Sequence, residues 1–155
     1  MDSRVQEFFT ALKGKRVTFC GLGVSHETLI PLFLKYQAEV TVCDKRAAEQ
    51  LGEKAEKLSQ QGVKFCLGEG YLDHLEADII LRTPGIPFTL PQFDEARSRG
   101  MAVTSEMELF FDLCPAHLFA VTGSDGKTTT TTLIAEMLKA AGKKVYLGGN
   151  IGTPL

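Results

Sequence analysis

A chain of 155 residues, 44% hydrophobic and 23% charged, has ordinary globular composition. Seventeen basic residues against nineteen acidic ones leave a formal net charge of -2, which argues against bulk electrostatic binding to nucleic acid or to an anionic membrane. No apolar run approaches the roughly 18 residues of a membrane span, and Met1-Asp2-Ser3-Arg4 is not followed by an apolar signal core.

Residues 3–12 read as a short amphipathic helix, with Val5, Phe8, Phe9 and Leu12 on one face and Gly14 just past its end. Residues 16–20 form a strand that meets Gly21-Leu22-Gly23-Val24-Ser25-His26. This is most of a dinucleotide-type G-x-G-x-x-G turn, with His26 in place of the third glycine. That glycine normally allows helix and strand to approach closely, so its loss argues against a standard NAD pyrophosphate site. Ser25 is a suitable N-cap for the helix that follows. Pro31 falls inside that helix, where it removes a backbone bond, so a kink or a late start is expected.

The second strand covers 39–43 and ends at Asp44, which follows Gly23 by 21 residues. That is close to the ~20 expected of an acidic residue facing a nucleoside in such a fold; a solvated strand-end carboxylate is the alternative. Lys45 and Arg46 come next and are unlike a plain NAD site. Residues 47–61 read as a polar-faced helix closed by Gly62, 63–67 as a third strand, and 77–81 as a fourth. The fourth is apolar throughout, as a doubly buried parallel strand should be. It runs into Arg82-Thr83-Pro84-Gly85-Ile86-Pro87, a rigid turn at the sheet edge where ligands of open α/β sheets bind. A helix over 91–99 and a fifth strand over 102–104 complete an alternation that predicts a doubly wound parallel sheet.

Residues 106–113 read as a helix whose Phe110-Phe111 pair is assigned to the core. Glu106 and Glu108, two apart on a helix, do not face each other, which argues against a catalytic carboxylate pair. A strand over 118–121 then leads into Thr122-Gly123-Ser124-Asp125-Gly126-Lys127-Thr128-Thr129-Thr130, and a helix over 129–141 follows. Strand, glycine loop and helix start make a phosphate cradle: glycines let N–H groups turn toward an anion, and the helix start adds unpaired N–H groups. Lys127 supplies a mobile charge for the β/γ-phosphates and the Thr128 hydroxyl is the natural Mg²⁺ ligand. The loop is a shortened G-x-x-G-K-T-T, with Val121 where the usual pattern has its first glycine. A Gly-Lys-Thr turn binding no phosphate is the alternative. Gly142 reads as a C-cap, 144–147 as a strand, and 148–152 as a second glycine turn.

Cys20, Cys43 and Cys66 recur every 23 residues near strand ends. With Cys114, and with no C-x-x-C, they read as small buried hydrophobes in a reducing compartment rather than a metal or redox site. His26, His74 and His117 match no metal spacing, and no nucleophile elbow is present.

A degenerate Rossmann turn ahead of a shortened P-loop resembles the Mur ligases, which add amino acids to the UDP-N-acetylmuramoyl peptide of the bacterial cell wall. The resemblance rests on Gly21-Leu22-Gly23-Val24-Ser25, Asp44-Lys45-Arg46, Thr83-Pro84-Gly85-Ile86, Glu108-Leu109-Phe110, the stretch 122–129 and Gly149-Asn150-Ile151-Gly152. It covers residue 16 onward. The P-loop string marks a superfamily that includes folylpolyglutamate synthases; the two N-terminal turns narrow it to the D-glutamate-adding branch. The resemblance implies an ATP-dependent acid–amino-acid ligase of peptidoglycan precursor synthesis, acting in the bacterial cytoplasm and monomeric at full length. Its substrates would be UDP-N-acetylmuramoyl-L-alanine and D-glutamate, joined through an acyl-phosphate, with ATP and Mg²⁺ as cofactors and no nucleic-acid or membrane partner.

By the same resemblance, residues 1–104 are a Rossmann-like UDP-sugar domain and 105–155 the start of a truncated P-loop α/β ATPase domain. Val24 and Ser25 would take phosphate oxygens. Asp44, Lys45 and Arg46 would border the uracil, and Thr83, Gly85 and Asn150 would line the sugar-diphosphate path. Gly123, Ser124, Asp125, Gly126, Lys127, Thr128 and Thr129 would hold ATP, with Lys127 and Thr128 catalytic and Thr128 on Mg²⁺. The family's further metal ligands, modified lysine and amino-acid site are not matched within these residues, so turnover by this chain alone is not expected. Nor is a segment of some 50 residues expected to stand as an independent domain. Another member of the same family, an NAD-binding Rossmann domain, an unrelated P-loop kinase and a nucleotide-sensing module are the rival readings.

Overall fold

The structure, a computed structural model, describes residues 2–149. Strands β1 (Arg16–Cys20), β2 (Glu39–Asp44), β3 (Lys64–Leu67), β4 (Ile79–Arg82) and β5 (Ala102–Ser105) form one parallel sheet in the order β3-β2-β1-β4-β5. The chain runs outward from β1 to β3, then returns to pair β4 with the other side of β1. This is the doubly wound sheet that the alternation of elements predicts. Strand order reverses between β1 and β4, so the loops leaving those two strands flank the crevice at the carboxyl edge.

The helices are α1 (Ser3–Thr10), α2 (Val24–Lys35), α3 (Ala48–Leu51), α4 (Glu53–Gln60), α5 (Pro91–Ser98), α6 (Glu106–Leu113) and α7 (Lys127–Ala140). Side chains alternate across each strand, and the sheet is buried on both faces. Val17, Phe19, Val40, Val42 and Leu81 pack on one side with Phe9, Ile30, Phe33 and Leu58. Cys20, Cys43 and Ile80 pack on the other with Leu72, Leu75 and Phe93. Phe33 anchors the first side, edge-on to Phe9 at 5.9 Å and to Phe19 at 5.2 Å, a geometry that the ring quadrupoles favour.

Several local expectations are corrected. Residues 47–61 are two helices, because Gly52 breaks the run at φ 55°, ψ -138°. α2 starts at Val24 and runs through Pro31; Gly23 takes the N-cap position in extended geometry, so Ser25 lies inside the first turn rather than capping it. Pro31 therefore neither delays nor ends the helix, though it has no N–H to donate to the Glu27 carbonyl. The aromatic pair of α6 is not core: Phe110 is half-buried and Phe111 is 46% exposed. Leu109 and Leu113, one turn apart, pack on the first core instead. Ser105 caps the start of α6 with its side chain. Ser105 Oγ accepts the Glu108 N–H at 3.3 Å, and its hydroxyl donates to Glu108 Oε2 at 2.8 Å.

The chain divides into two compact units, Met1–Leu113 and Cys114–Leu155. Contacts thus group α6 with the sheet, whereas the sequence boundary stands before it, at 104/105. In the second unit, neither 118–121 nor 144–147 forms a strand. A strand is fixed by its neighbour's hydrogen-bond ladder, and no partner segment pairs with either among the described residues. α7 opens at Lys127, two residues earlier than expected, and Gly142 follows its last turn at φ +74°.

Candidate functional site

The glycine turn after β1 stands at the point where strand order reverses. Gly21 has φ +86°, and its N–H donates to the Cys43 carbonyl at 2.7 Å. A Cβ at Gly21 would lie 2.7 Å from Thr83 Oγ1. Thr83, the first residue after β4, donates its own N–H to the Cys20 carbonyl at 3.0 Å. The two loops are therefore in contact, and only glycine fits between them. Gly23 is under no such demand, with Thr83 Cγ2 at an ordinary 3.7 Å.

Asp44 is the latch of this turn. Its Oδ2 accepts the Leu22 N–H at 2.7 Å, and Oδ1 accepts the Arg46 N–H at 2.9 Å. Arg46 closes the ring: Nε donates to Oδ1 at 2.9 Å, and Nη2 donates to Oδ2 and to the Leu22 carbonyl, each at 2.8 Å. Asp44 is 3% exposed, and both of its oxygens are engaged within the protein. Burial pushes its carboxyl up, but the Arg46 guanidinium and the Leu22 and Arg46 N–H groups outweigh burial and hold it at about 2. Hydrogen bonds to charged groups stabilise by about 1.5–3 kcal/mol, so Asp44→Asn should lower the unfolding free energy by about that much at neutral pH. The folded carboxyl titrates below the ~3.9 of an unfolded chain, so this contribution is whole above about pH 4 and is lost as pH falls through the folded value. Urea unfolding of both proteins at pH 7 and near pH 2 should show the gap closing in acid.

What remains open at this edge is cationic and polar. Lys45 is exposed, and the Arg46 side chain is 42% exposed beside the latch. Val24 is 69% exposed at the first position of α2, and Ser25 is half-buried. Gly85 is open, with nothing within 4 Å of a would-be Cβ. The structure thus gathers Val24, Ser25, Arg46, Thr83 and Gly85 at the carboxyl ends of β1, β2 and β4. Asn150 lies outside the described residues.

His26 replaces the glycine of the usual turn with a buried ring. It is 0% exposed, stacks edge-on with Phe19 at 5.0 Å, and places Nδ1 2.6 Å from the Gly21 carbonyl. The helix therefore reaches the turn through an imidazole rather than by close backbone approach. No sequence pattern marks this contact.

Cys20, Cys43 and Cys66 stand in one register row across β1, β2 and β3, which accounts for their even spacing. Cys20 and Cys43 are buried as expected, whereas Cys66 is exposed, because β3 is an edge strand.

In the second unit, Gly123 and Gly126 adopt positive φ values of 148° and 73°. Gly126 caps α7 without any side-chain hydrogen bond, so the N–H groups of the first turn face outward unsatisfied by a side chain. The Lys127 ammonium donates to the Gly123 carbonyl at 2.5 Å and to the Ser124 carbonyl at 3.0 Å. Ser124, Asp125, Thr128 and Thr129 are exposed around it. Among the described residues no group of three or more His, Cys, Asp or Glu side chains could hold a metal ion. A Mg²⁺ at this loop would have the exposed Thr128 hydroxyl as its protein ligand.

Comparison with known proteins adds to this geometry. The model of the Mur ligase MurD-like N-terminal domain matches residues 15–105, and that of the Mur ligase middle domain matches 121–154. Two curated relatives are named UDP-N-acetylmuramoylalanine--D-glutamate ligase. The protein from Acetivibrio thermocellus is 49% identical and that from Clostridium botulinum (strain Hall) 47%, each across all of this chain and 34% of the relative. The chain thus spans about a third of the length of these relatives. Among solved structures, a murein peptide ligase from Psychrobacter arcticus is 25% identical, with a TM-score of 0.52 over 83% of this chain and 27% of that one.

Proposed function

The chain belongs to the Mur ligase family, and on that premise we propose that it carries the nucleotide-sugar site and the ATP loop of the ligase that adds D-glutamate to UDP-N-acetylmuramoyl-L-alanine. The observation that carries this reading is the latched glycine turn at the strand-order reversal, with the exposed Lys45 and the partly exposed Arg46 beside it. N–H groups at the start of α2 and the Ser25 hydroxyl take the diphosphate oxygens. Lys45 and the outer edge of Arg46 border the uracil, while Asp44 acts behind them by holding the turn in shape. Thr83 and Gly85 line the way toward the sugar.

In the second unit the residues from Gly123 to Thr129 would hold the triphosphate, with the Lys127 ammonium serving the β/γ-phosphates and the Thr128 hydroxyl serving Mg²⁺. ATP, when bound there with Mg²⁺, supplies the phosphoryl group that activates the substrate carboxylate for attack by the D-glutamate amine. Preorganised N–H groups and a lysine at the bridging oxygen are what such a transfer needs from the protein. The reaction belongs in the bacterial cytoplasm, and we expect the full-length protein to work as a monomer.

Calorimetry tests the first site. UDP-N-acetylmuramoyl-L-alanine and UDP should bind the chain, and NADH should not, since His26 occupies the room that the third glycine leaves in a dinucleotide turn. Lys45→Ala should weaken UDP binding by about 2–10-fold, the worth of one ordinary hydrogen bond, without changing stability. Heat released by NADH and none by either uridine ligand would overturn the reading.

A further inference from the structure

Behind the glycine turn, two buried polar atoms face one another with no hydrogen-bond partner. His26 Nε2 and Glu106 Oε2 lie 3.3 Å apart, both shut off from solvent. The distance is that of an ion pair or a hydrogen bond, yet neither atom has a hydrogen-bond partner. The other ring nitrogen fixes the chemistry. A carbonyl oxygen can only accept, so Nδ1, 2.6 Å from the Gly21 carbonyl, carries a hydrogen. In a neutral imidazole Nε2 is then a bare lone pair, and an ionised Glu106 would press a second lone pair against it. Such an apposition inside a protein is strongly unfavourable.

We propose that His26 and Glu106 hold one shared proton between Nε2 and Oε2, and that this buried proton fastens the Gly21 turn, through the imidazole, to α6. The two placements of the proton, imidazolium with carboxylate or imidazole with carboxylic acid, leave the pair without net charge. Each turns two orphaned atoms into one hydrogen bond. Burial holds the imidazole below the ordinary histidine range, against the pull of the Gly21 carbonyl and of an ionised Glu106, which favours the placement with the shared proton on the carboxyl. The neighbouring charges are otherwise engaged: Glu27 on α2 pairs with Lys54 of α4, while Asp44 at the end of β2 and Arg46 hold each other. From β1 the Phe19 ring packs edge-on against it. Glu106 on α6 is the charged group that faces it. His26 is thus a positioning residue for the turn, and Glu106 sets its tautomer.

The proton count gives the sign of the pH dependence. In the unfolded chain Glu106 and His26 titrate near their ordinary values, about 4.3 and 6.5. Between those values the folded and unfolded states both hold one proton. Above about 6.5 the unfolded pair holds none, so folding takes one up and stability falls as pH rises. Below about 4.3 the unfolded pair holds two, folding releases one, and stability falls with acid.

The test needs no ligand, so its outcome is independent of the uridine reading. In ¹⁵N-histidine spectra of the 155-residue chain, His26 should show a slowly exchanging Nδ1–H and ring shifts that stay constant from pH 5 to 8, while His74 and His117 are followed as internal references. Glu106→Gln supplies an amide N–H that donates to Nε2 and holds the same tautomer at every pH. Its folding equilibrium should therefore lose about one proton's worth of slope between pH 7 and 8.5, about a ten-fold smaller change per pH unit than in the parent chain. A His26 that titrates near 6.5, or that carries its proton on Nε2 alone, overturns the proposal. So does an unchanged slope in Glu106→Gln. The spectrum of the parent chain decides the matter even if the variant fails to fold.

Discussion

Gly21→Ala should destabilise the first unit by about 2–5 kcal/mol, a backbone cost of about 1–2 for an L-residue held at left-handed φ and about 1–3 for overpacking. The two costs have different origins and can be separated. The φ of +86° belongs to the turn itself. The crowding comes from Thr83, whose Oγ1 would lie 2.7 Å and Cγ2 3.1 Å from the new methyl. Thr83→Ala removes both atoms and leaves the backbone strain in place. The double variant should therefore recover the packing part of the loss and no more, a coupling that a double-mutant cycle in urea reads directly. Gly23→Ala is the control, since its nearest neighbour stands at 3.7 Å and its φ is -96°; it should cost far less. Equal losses at Gly21 and Gly23, or full recovery in the double variant, would contradict this account of the turn.

Lys127→Ala should weaken ATP binding by about 10–100-fold while leaving stability within about 0.5 kcal/mol, as for other exposed positions. The reasoning starts from where the lysine is now. Its ammonium is exposed and held by two carbonyls of its own loop, at 2.5 and 3.0 Å. Those carbonyls also have solvent available, so removing the lysine leaves no buried orphan. A phosphate offers the same ammonium charged acceptors, and bonds between charged groups are the stronger kind. Lys127→Arg should not restore affinity, because a planar fork replaces a compact point charge in a tight loop. Calorimetry with Mg·ATP on the three proteins measures the effect. An alanine variant that binds ATP as well as the parent would remove Lys127 from the site.

The Asp44 latch and the His26–Glu106 pair show why parts of this site were hidden in the sequence. Asp44 was legible by its distance from Gly23, but its role was not. Spacing puts a carboxylate at the end of β2; only the fold shows both oxygens engaged by Leu22 and Arg46. His26 was legible only as a departure from glycine. That its ring fills the space behind the turn depends on Phe19, Gly21 and Glu106, which lie 7, 5 and 80 positions away. The break at Gly52 and the start of α2 at Val24 turn on single backbone conformations, which a residue's identity permits without requiring.

By itself, the order of residues determined that strands alternate with helices, that a parallel sheet results, and that glycine turns follow β1 and precede α7. Those outcomes depend on local periodicity and on residues with restricted or unusual freedom at φ, both of which are written along the chain. Tertiary structure alone decided which strand lies beside which, hence that the turns after β1 and β4 touch, that Asp44 is turned inward, and that Phe111 faces solvent while Leu113 does not. Each of these depends on distance through space between groups far apart in sequence, and on which polar atoms burial obliges to find partners.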